Sequence, residues 1–334
     1  MKAFQIERFG LEELSKVDLD RPSPAAGEVL VKFHATSLNY RDLMMIEGTY
    51  NPRLRLPLVP FSDGAGEVVG VGEGVTSWKV GDRVCPIFMQ GWIDGELDYA
   101  RSKTTLGHDL DGCLRQYGAF SENGLVRIPE HLSFKEAACL PCAGVTAWNA
   151  LMVSGGLKSG ETVLVQGTGG VSLFALQFAK LAGAKVIVTS SSDEKLAKAK
   201  ELGANDLINY VDREDWDNVV LEMTGKKGVD HVVEVGGAGT LARSMRAVAM
   251  SGHIAVIGVV AGKGEFTNVP IFMKALKLIG VLVGSRIMFE EMNSAIERSG
   301  MRPVIDRTFS FDEVKEAFRY MKSGSHFGKI VVTF

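Results

Sequence analysis

The sequence predicts an α/β protein in which a β-rich region precedes a parallel, doubly wound sheet. Three observations carry that expectation. Residues 160–195 contain a complete strand–turn–helix–strand unit. From about residue 130, short apolar strands alternate with stretches of helical spacing, the pattern of crossover-connected parallel strands. Before residue 125 the apolar runs are short, β-branched and bounded by Gly, Pro and Asp, as strands between turns are.

In order along the chain, residues 1–8 alternate as a strand does and lack the apolar core of a signal peptide. Strands are expected at 29–33, 66–71 and 80–84, the last through a tight turn at Gly81-Asp82. Residues 86–118 are rich in Gly and Asp and read as a long surface loop. The alternating part then reads strand 162–166, helix 170–182, strand 185–189, helix 193–202, strand 206–210 and helix 214–224. It continues as strand 230–235, helix 239–249, strand 253–257, helix 270–276, strand 278–283 and helix 288–299. The tail holds a helix at 312–322 and a final strand at 329–333. Two domains are expected: 1–125 joined by 301–334, and 126–300.

The unit at 160–195 carries chemistry. Gly167, Gly169 and Gly170 make the turn and Val171 enters the helix. Glycines there let the backbone approach a pyrophosphate at the positive end of the helix. The third position of the G-x-G-x-x-G pattern is Ser172, small enough for close helix–strand packing. The second strand ends at Thr189-Ser190-Ser191-Ser192, where an NAD enzyme usually places an acid for the ribose 2′-hydroxyl. Hydroxyls followed by Lys195 suit a 2′-phosphate, so NADPH is expected over NADH. Ser191 and Glu194 also fit a helix capping box. Lys195, Lys198 and Lys200 also fit a solvated helix face, and Asp193 lies past the strand at the helix start.

Composition narrows the class. Hydrophobic residues make up 46% and charged residues 23%, ordinary for a globular protein. A net charge of −3 gives no reason to expect nucleic acid. No apolar run reaches the roughly 18 residues of a membrane span. Four cysteines in so long a chain suggest a reducing, cytoplasmic setting. Cys139 and Cys142 form a lone Cys-x-x-Cys in an apolar segment and read as buried thiols. The six histidines are dispersed; His231 and His253 read as structural, and His108 in the loop is open to a substrate role.

The whole chain resembles the medium-chain dehydrogenase/reductase superfamily. The segments that carry the resemblance are 27–31, Asn39-Tyr40-Arg41-Asp42, Pro60-Phe61-Ser62-Asp63-Gly64-Ala65-Gly66, 81–84, 140–147, the glycine turn, and Gly328-Lys329-Ile330-Val331. Within the superfamily it is most similar to zinc-independent, quinone-oxidoreductase-like members, some of whose close relatives are named alcohol dehydrogenases. The resemblance implies a GroES-like catalytic domain, a Rossmann domain and an active site in the cleft between them. In zinc-dependent members the catalytic ligands are cysteine, histidine and cysteine, where this chain has Asn39, Ser62 and Ala143. The structural zinc lobe needs four clustered cysteines, and 85–118 holds only Cys85 and Cys113. No zinc is therefore expected at either site. By position, Thr146 and Val171 are implied near the nicotinamide and pyrophosphate, and Gly258 and Val259 beside the nicotinamide. Ser190, Ser191, Lys195 and Tyr210 are implied near the 2′-phosphate. Lys329 matches a basic residue that approaches the pyrophosphate, or is an exposed lysine beside the last strand.

Without a metal, no strong Lewis acid polarises a simple ketone. Electron-poor acceptors fit better: quinones, enones and reactive aldehydes. Asn39, Tyr40, Asp42 and Ser62 are the active-site candidates, with Tyr40 the proton donor by chemistry or a packed aromatic. Asn39 and Asp42 also fit a loop brace. A metal-free or atypical alcohol dehydrogenase and a non-catalytic NADPH-binding protein remain alternatives. The apolar stretch 277–284 reads as the last strand of the sheet, an edge that invites pairing with a second copy into a homodimer.

Overall fold

The computed structural model describes residues 1–262 and 264–334. Two compact units result: Met1–Val145 with Gly284–Phe334, and Thr146–Val283. The second unit is narrower than the expected 126–300. Residues 126–145 and the helix Arg286–Ser299 group with the first unit. That helix buries Phe289, Met292 and Ile296, and Asn293 Nδ2 donates to the carbonyl of Arg127 at 2.9 Å.

In the first unit, strand Glu28–Ser37 organises a seven-stranded sheet. Its alternating Val29, Val31, Phe33 and Ala35 are buried, as period-two patterning requires. It pairs antiparallel with Asp63–Val71, with Tyr117–Ser121 and with the final strand Lys329–Thr333. Register sets Ser37 opposite Asp63 on one side and Val331 on the other. This brings Asn39, Asp63 and Lys329 to one end of the sheet. Beneath them Ile46, Phe61, Phe318, Ile330 and Val332 form a buried cluster.

Several expectations change here. The strand expected at 80–84 is Arg83–Pro86, because Gly81 (φ 95°) and Asp82 are spent in the turn. The strand Ile305–Ser310 went unread because its middle, Asp306-Arg307-Thr308, is exposed and polar at the sheet edge. Helical turns at Phe134–Ala137, Leu140–Gly144 and Val145–Trp148 were also unread. Pro141 hides them, although it sits in a first turn, where its missing N–H costs nothing.

The second unit is a six-stranded parallel sheet in the order Asp206–Asn209, Lys185–Ser190, Thr162–Gln166, Val229–Glu234, Val248–Val256, Lys277–Gly280. Order reverses between Thr162–Gln166 and Val229–Glu234, and a ligand crevice forms at such a switch point beyond the strand ends. The edge strand is shorter than the expected 278–283. It stops at Gly280, after which Val281 is buried against Ala150 and Ala255, and Val283 turns to φ 58° with its carbonyl accepting from Asn149 Nδ2 at 2.7 Å. Among the described residues, no helix is long and apolar enough to cross a membrane.

His231 and His253 lie side by side on adjacent strands, both buried, as expected of structural histidines. Burial, with His231 and Lys277 nearby, pushes His253 down from 6.5 to about 4. A histidine depressed in the fold supports stability above its unfolded pKa, and that support is lost as pH falls toward the folded one. The His253 contribution to stability is therefore expected to be lost between about pH 6.5 and pH 4, against an opposite contribution from Asp42. Urea titrations across that range should show a shallower slope for His253→Leu; an unchanged slope would refute the assignment.

Candidate functional site

At the switch point, strand Thr162–Gln166 runs into the glycine turn. Gly167 adopts φ 69° and its N–H bonds to the carbonyl of Thr189 at 2.8 Å. A Cβ on Gly167 or Gly169 would meet nothing within 4 Å, so the space over the turn is open. Gly169 precedes the helix Gly170–Leu181, whose first N–H groups have no partner within the helix and favour an anion. Ser172 is buried and donates to the carbonyl of Gln166 at 2.7 Å, so the serine ties helix to strand where a third glycine would only leave room.

The second strand, Lys185–Ser190, ends in hydroxyls. Ser190 is buried, and Ser191 and Tyr210 are exposed. The N-cap of the next helix is Ser192, which accepts from the Lys195 N–H at 3.4 Å. The capping box expected from Ser191 and Glu194 does not form: Ser192 caps the helix one residue later, and the residue three after it is Lys195. Asp193 accepts from Asn209 Nδ2 at 2.8 Å, and Glu194 pairs with Lys198 at 2.7 Å. Lys195 is half-buried in the first turn of that helix. Thr146 is buried, Val171 and Gly258 are half-buried, and Val259 is exposed.

The first unit gathers a second constellation. Asn39 caps the helix Tyr40–Ile46, and its N–H donates to Asp42 Oδ2 at 2.8 Å. Asn39 and Asp42 therefore do brace the loop. Asn39 Nδ2 lies 3.5 Å from Ser62 Oγ, and Ser62 donates to Asp63 Oδ1 at 2.9 Å. Asp63 Oδ2 accepts from Ser37 Oγ and the Cys142 N–H, each at 3.3 Å. Lys329 corrects an expectation. Only 3% exposed, it donates from Nζ to Asn39 Oδ1 at 2.6 Å and to the Leu38 carbonyl at 2.7 Å, and lies 3.8 Å from Asp63 Oδ2. It is not an exposed lysine beside the last strand. Burial pushes the Asp42 carboxyl up to about 6, against the opposing pull of Arg41 and Lys329. Tyr40, 44% exposed, is the first residue of that helix, next to Asn39.

Sequence reasoning passed over Ser37, Gln166, Glu234 and Ser244. The signal for Gln166 and Glu234 is a polar residue directly after a pair of buried valines or a Leu-Val at a strand end. Cys139 and Cys142 are free thiols, and burial pushes both up. His108 is held by Asp109 at 2.8 Å and by Asn51 at 3.1 Å. Among the described residues, no group of three or more His, Cys, Asp or Glu side chains is placed to hold a metal ion.

Residues 25–130 match the family described as alcohol dehydrogenase GroES-like domain, and residues 170–298 that described as zinc-binding dehydrogenase. The chain is 45% identical to a zinc-type alcohol dehydrogenase-like protein of Schizosaccharomyces pombe, over 98% of this chain and 96% of that one. It is similar to a crystal structure of a putative alcohol dehydrogenase from Sinorhizobium meliloti, with a TM-score of 0.93 and 41% identity over 100% and 98% of the two chains. A mycobacterial protein solved in complex with NADPH is similar at a TM-score of 0.85 and 26% identity, over 100% of both chains.

Proposed function

The chain belongs to the medium-chain dehydrogenase/reductase superfamily as an NAD(P)H-dependent oxidoreductase, and we propose that it is an NADPH-dependent, zinc-independent reductase of activated acceptors: quinones, enones or reactive aldehydes. The observation that carries the cofactor choice is the strand end at Ser190-Ser191. The nearest acid, Asp193, is engaged by Asn209, and a strand end of hydroxyls followed by Lys195 and Tyr210 suits a 2′-phosphate better than a ribose hydroxyl. The similar mycobacterial protein with NADPH agrees with that choice. Gly167, Gly169, Gly170 and the helix start would hold the pyrophosphate, with Thr146, Val171, Gly258 and Val259 about the nicotinamide. The reduced nicotinamide, when bound, supplies the hydride.

Zinc does not fit. Asn39 and Ser62 offer an amide and a hydroxyl, Ala143 nothing, and Asp63 is engaged by Ser37, Ser62 and the Cys142 amide beside an ammonium. The chain's own donors take the electrophilic role. Lys329 pulls on the Asn39 carbonyl oxygen, which sharpens the Asn39 amide as a donor. Tyr40 supplies the proton at its phenol. Such donors suffice for an acceptor that is already electron-poor.

The purified protein should bind NADPH more tightly than NADH and reduce members of a panel of quinones, enones and aldehydes. Lys195→Ala should weaken NADPH about tenfold more than NADH. A zinc chelator should leave the rate unchanged. Equal affinity for both nucleotides sinks the cofactor choice, and activity lost with stoichiometric zinc sinks the metal-free reading.

We also infer a homodimer at the Lys277–Gly280 edge. Beside it Phe272 and Met273 are 65% and 64% exposed, an apolar flank to an unpaired edge. Sedimentation should give a dimer, and Phe272→Glu with Met273→Glu a monomer. A clean monomer of the parent at micromolar concentration excludes it. Val281 is unsuited to the test because it is buried.

A further inference from the structure

Glu234 closes the strand beside Thr162–Gln166, at the reversal of the sheet order. It is completely buried, and its charge is met by hydrogen-bond donors. Oε1 accepts from the N–H groups of Gly236 and Gly237, both at 2.9 Å, and from Thr240 Oγ1 at 2.5 Å. Oε2 accepts from Gln166 Nε2 at 2.9 Å and from Ser244 Oγ. Gln166 Nε2 also donates to Ser244 Oγ at 2.8 Å, and Gln166 Oε1 accepts from the Gly236 N–H at 3.3 Å. A carboxylate costs several kcal/mol to bury without compensation, so this set of donors fixes where it and its neighbours sit.

Two of these partners adjoin different parts of the proposed cofactor crevice. Gln166 immediately precedes the glycine turn. The Gly236-Gly237 turn carries the next loop: a Cβ on Gly237 would stand 2.5 Å from the Gly258 carbonyl oxygen, and one on Gly258 2.0 Å from that of Val235. Ile257 and Gly258 donate to the Glu234 carbonyl at 2.9 and 3.2 Å, and Ala261 to that of Gly236 at 2.9 Å. One side chain thus links the strand end under the pyrophosphate turn to the loop at Gly258-Val259.

We propose that Glu234 is a positioning residue that sets the spacing between the pyrophosphate turn and the Gly258–Ala261 loop, so that the pyrophosphate and the nicotinamide end of a bound dinucleotide are held in one register. This rests on the cofactor assignment made above. Glu234→Gln keeps the volume but sets an amide N–H₂ against groups that are already donors. It should weaken NADPH, followed by its fluorescence without acceptor, about tenfold, and lower kcat further. The exchanged pair Gln166→Glu with Glu234→Gln keeps one carboxylate and one amide between the strands and should recover affinity to within about threefold, whereas Gln166→Glu alone should not. In the nucleotide-free protein, amide hydrogen exchange at 167–170 and 258–261 should rise together in Glu234→Gln. Parent-like affinity and exchange in Glu234→Gln overturn the proposal, as does an exchanged pair that regains its Tm but not its affinity. If Glu234→Gln does not fold, Thr240→Val removes one donor and should weaken NADPH about threefold; unchanged affinity there overturns it. A parent protein that binds no nicotinamide nucleotide instead refutes the cofactor assignment, and the exchange experiment still judges the linkage.

Discussion

Replacing Lys329 with Met is expected to cost about 3–5 kcal/mol of stability, because it strips the cation from a site where Asp63 and Asp42 stay buried. The loss has a pH signature. With the ammonium gone, the Asp42 carboxyl, which Lys329 helps to hold down, keeps its proton more readily in the fold, and protonation relieves part of the uncompensated charge. The deficit should therefore shrink as the pH is lowered from about 7.5 to about 5. Urea unfolding of the parent and Lys329→Met at several pH values measures this. A deficit below about 1 kcal/mol would show that Lys329 is a surface-like contact. Lys329→Arg keeps the charge but not the fit to Asn39 Oδ1 and the Leu38 carbonyl, and should fall between the two.

Tyr40→Phe is expected to lower kcat for a quinone or enone by about 100-fold or more, the range of general acid catalysis. The fold should be unaffected, since the side chain is 44% exposed. The KM for NADPH should stay within about twofold, because Tyr40 is not among the residues assigned to the nucleotide. A kcat within about threefold of the parent would remove Tyr40 as proton donor and leave the Asn39 amide and the Ser62 hydroxyl as the groups to test next.

The cofactor turn was legible because its physics is local. Gly167 must take a positive φ, the strand must precede it and the helix must follow, and all three are written within twenty residues. The parallel sheet was legible for the same reason, and so was the strand at Lys329–Thr333 in the other sheet. What escaped depends on distance in sequence. Lys329 looks like any surface lysine until the strand pairing sets it against Asn39, and no spacing reveals that a cation meets an acid 266 residues away. The edge strand was read too long because Val281 and Val283 are as β-prone as Leu278 and Ile279; only the buried contacts of Val281 and the Asn149 bond to Val283 show where the ladder ends. Ser192 displaced Ser191 as the cap by a single residue, within the usual uncertainty of helix ends.

The interleaving of the two units has a consequence for synthesis. Thr146–Val283 is one continuous piece, whereas the unit holding Asp42 and Asp63 is finished by strands at Ile305–Ser310 and Lys329–Thr333. A chain made from its N-terminus therefore presents two acids whose counter-ion has not yet been translated. Until Lys329–Thr333 has left the ribosome, the sheet edge that it will cover on Glu28–Ser37 stays open, and nascent chains expose such edges to one another. The contiguous unit can be complete before its companion closes, so closure of the companion waits on strand Lys329–Thr333.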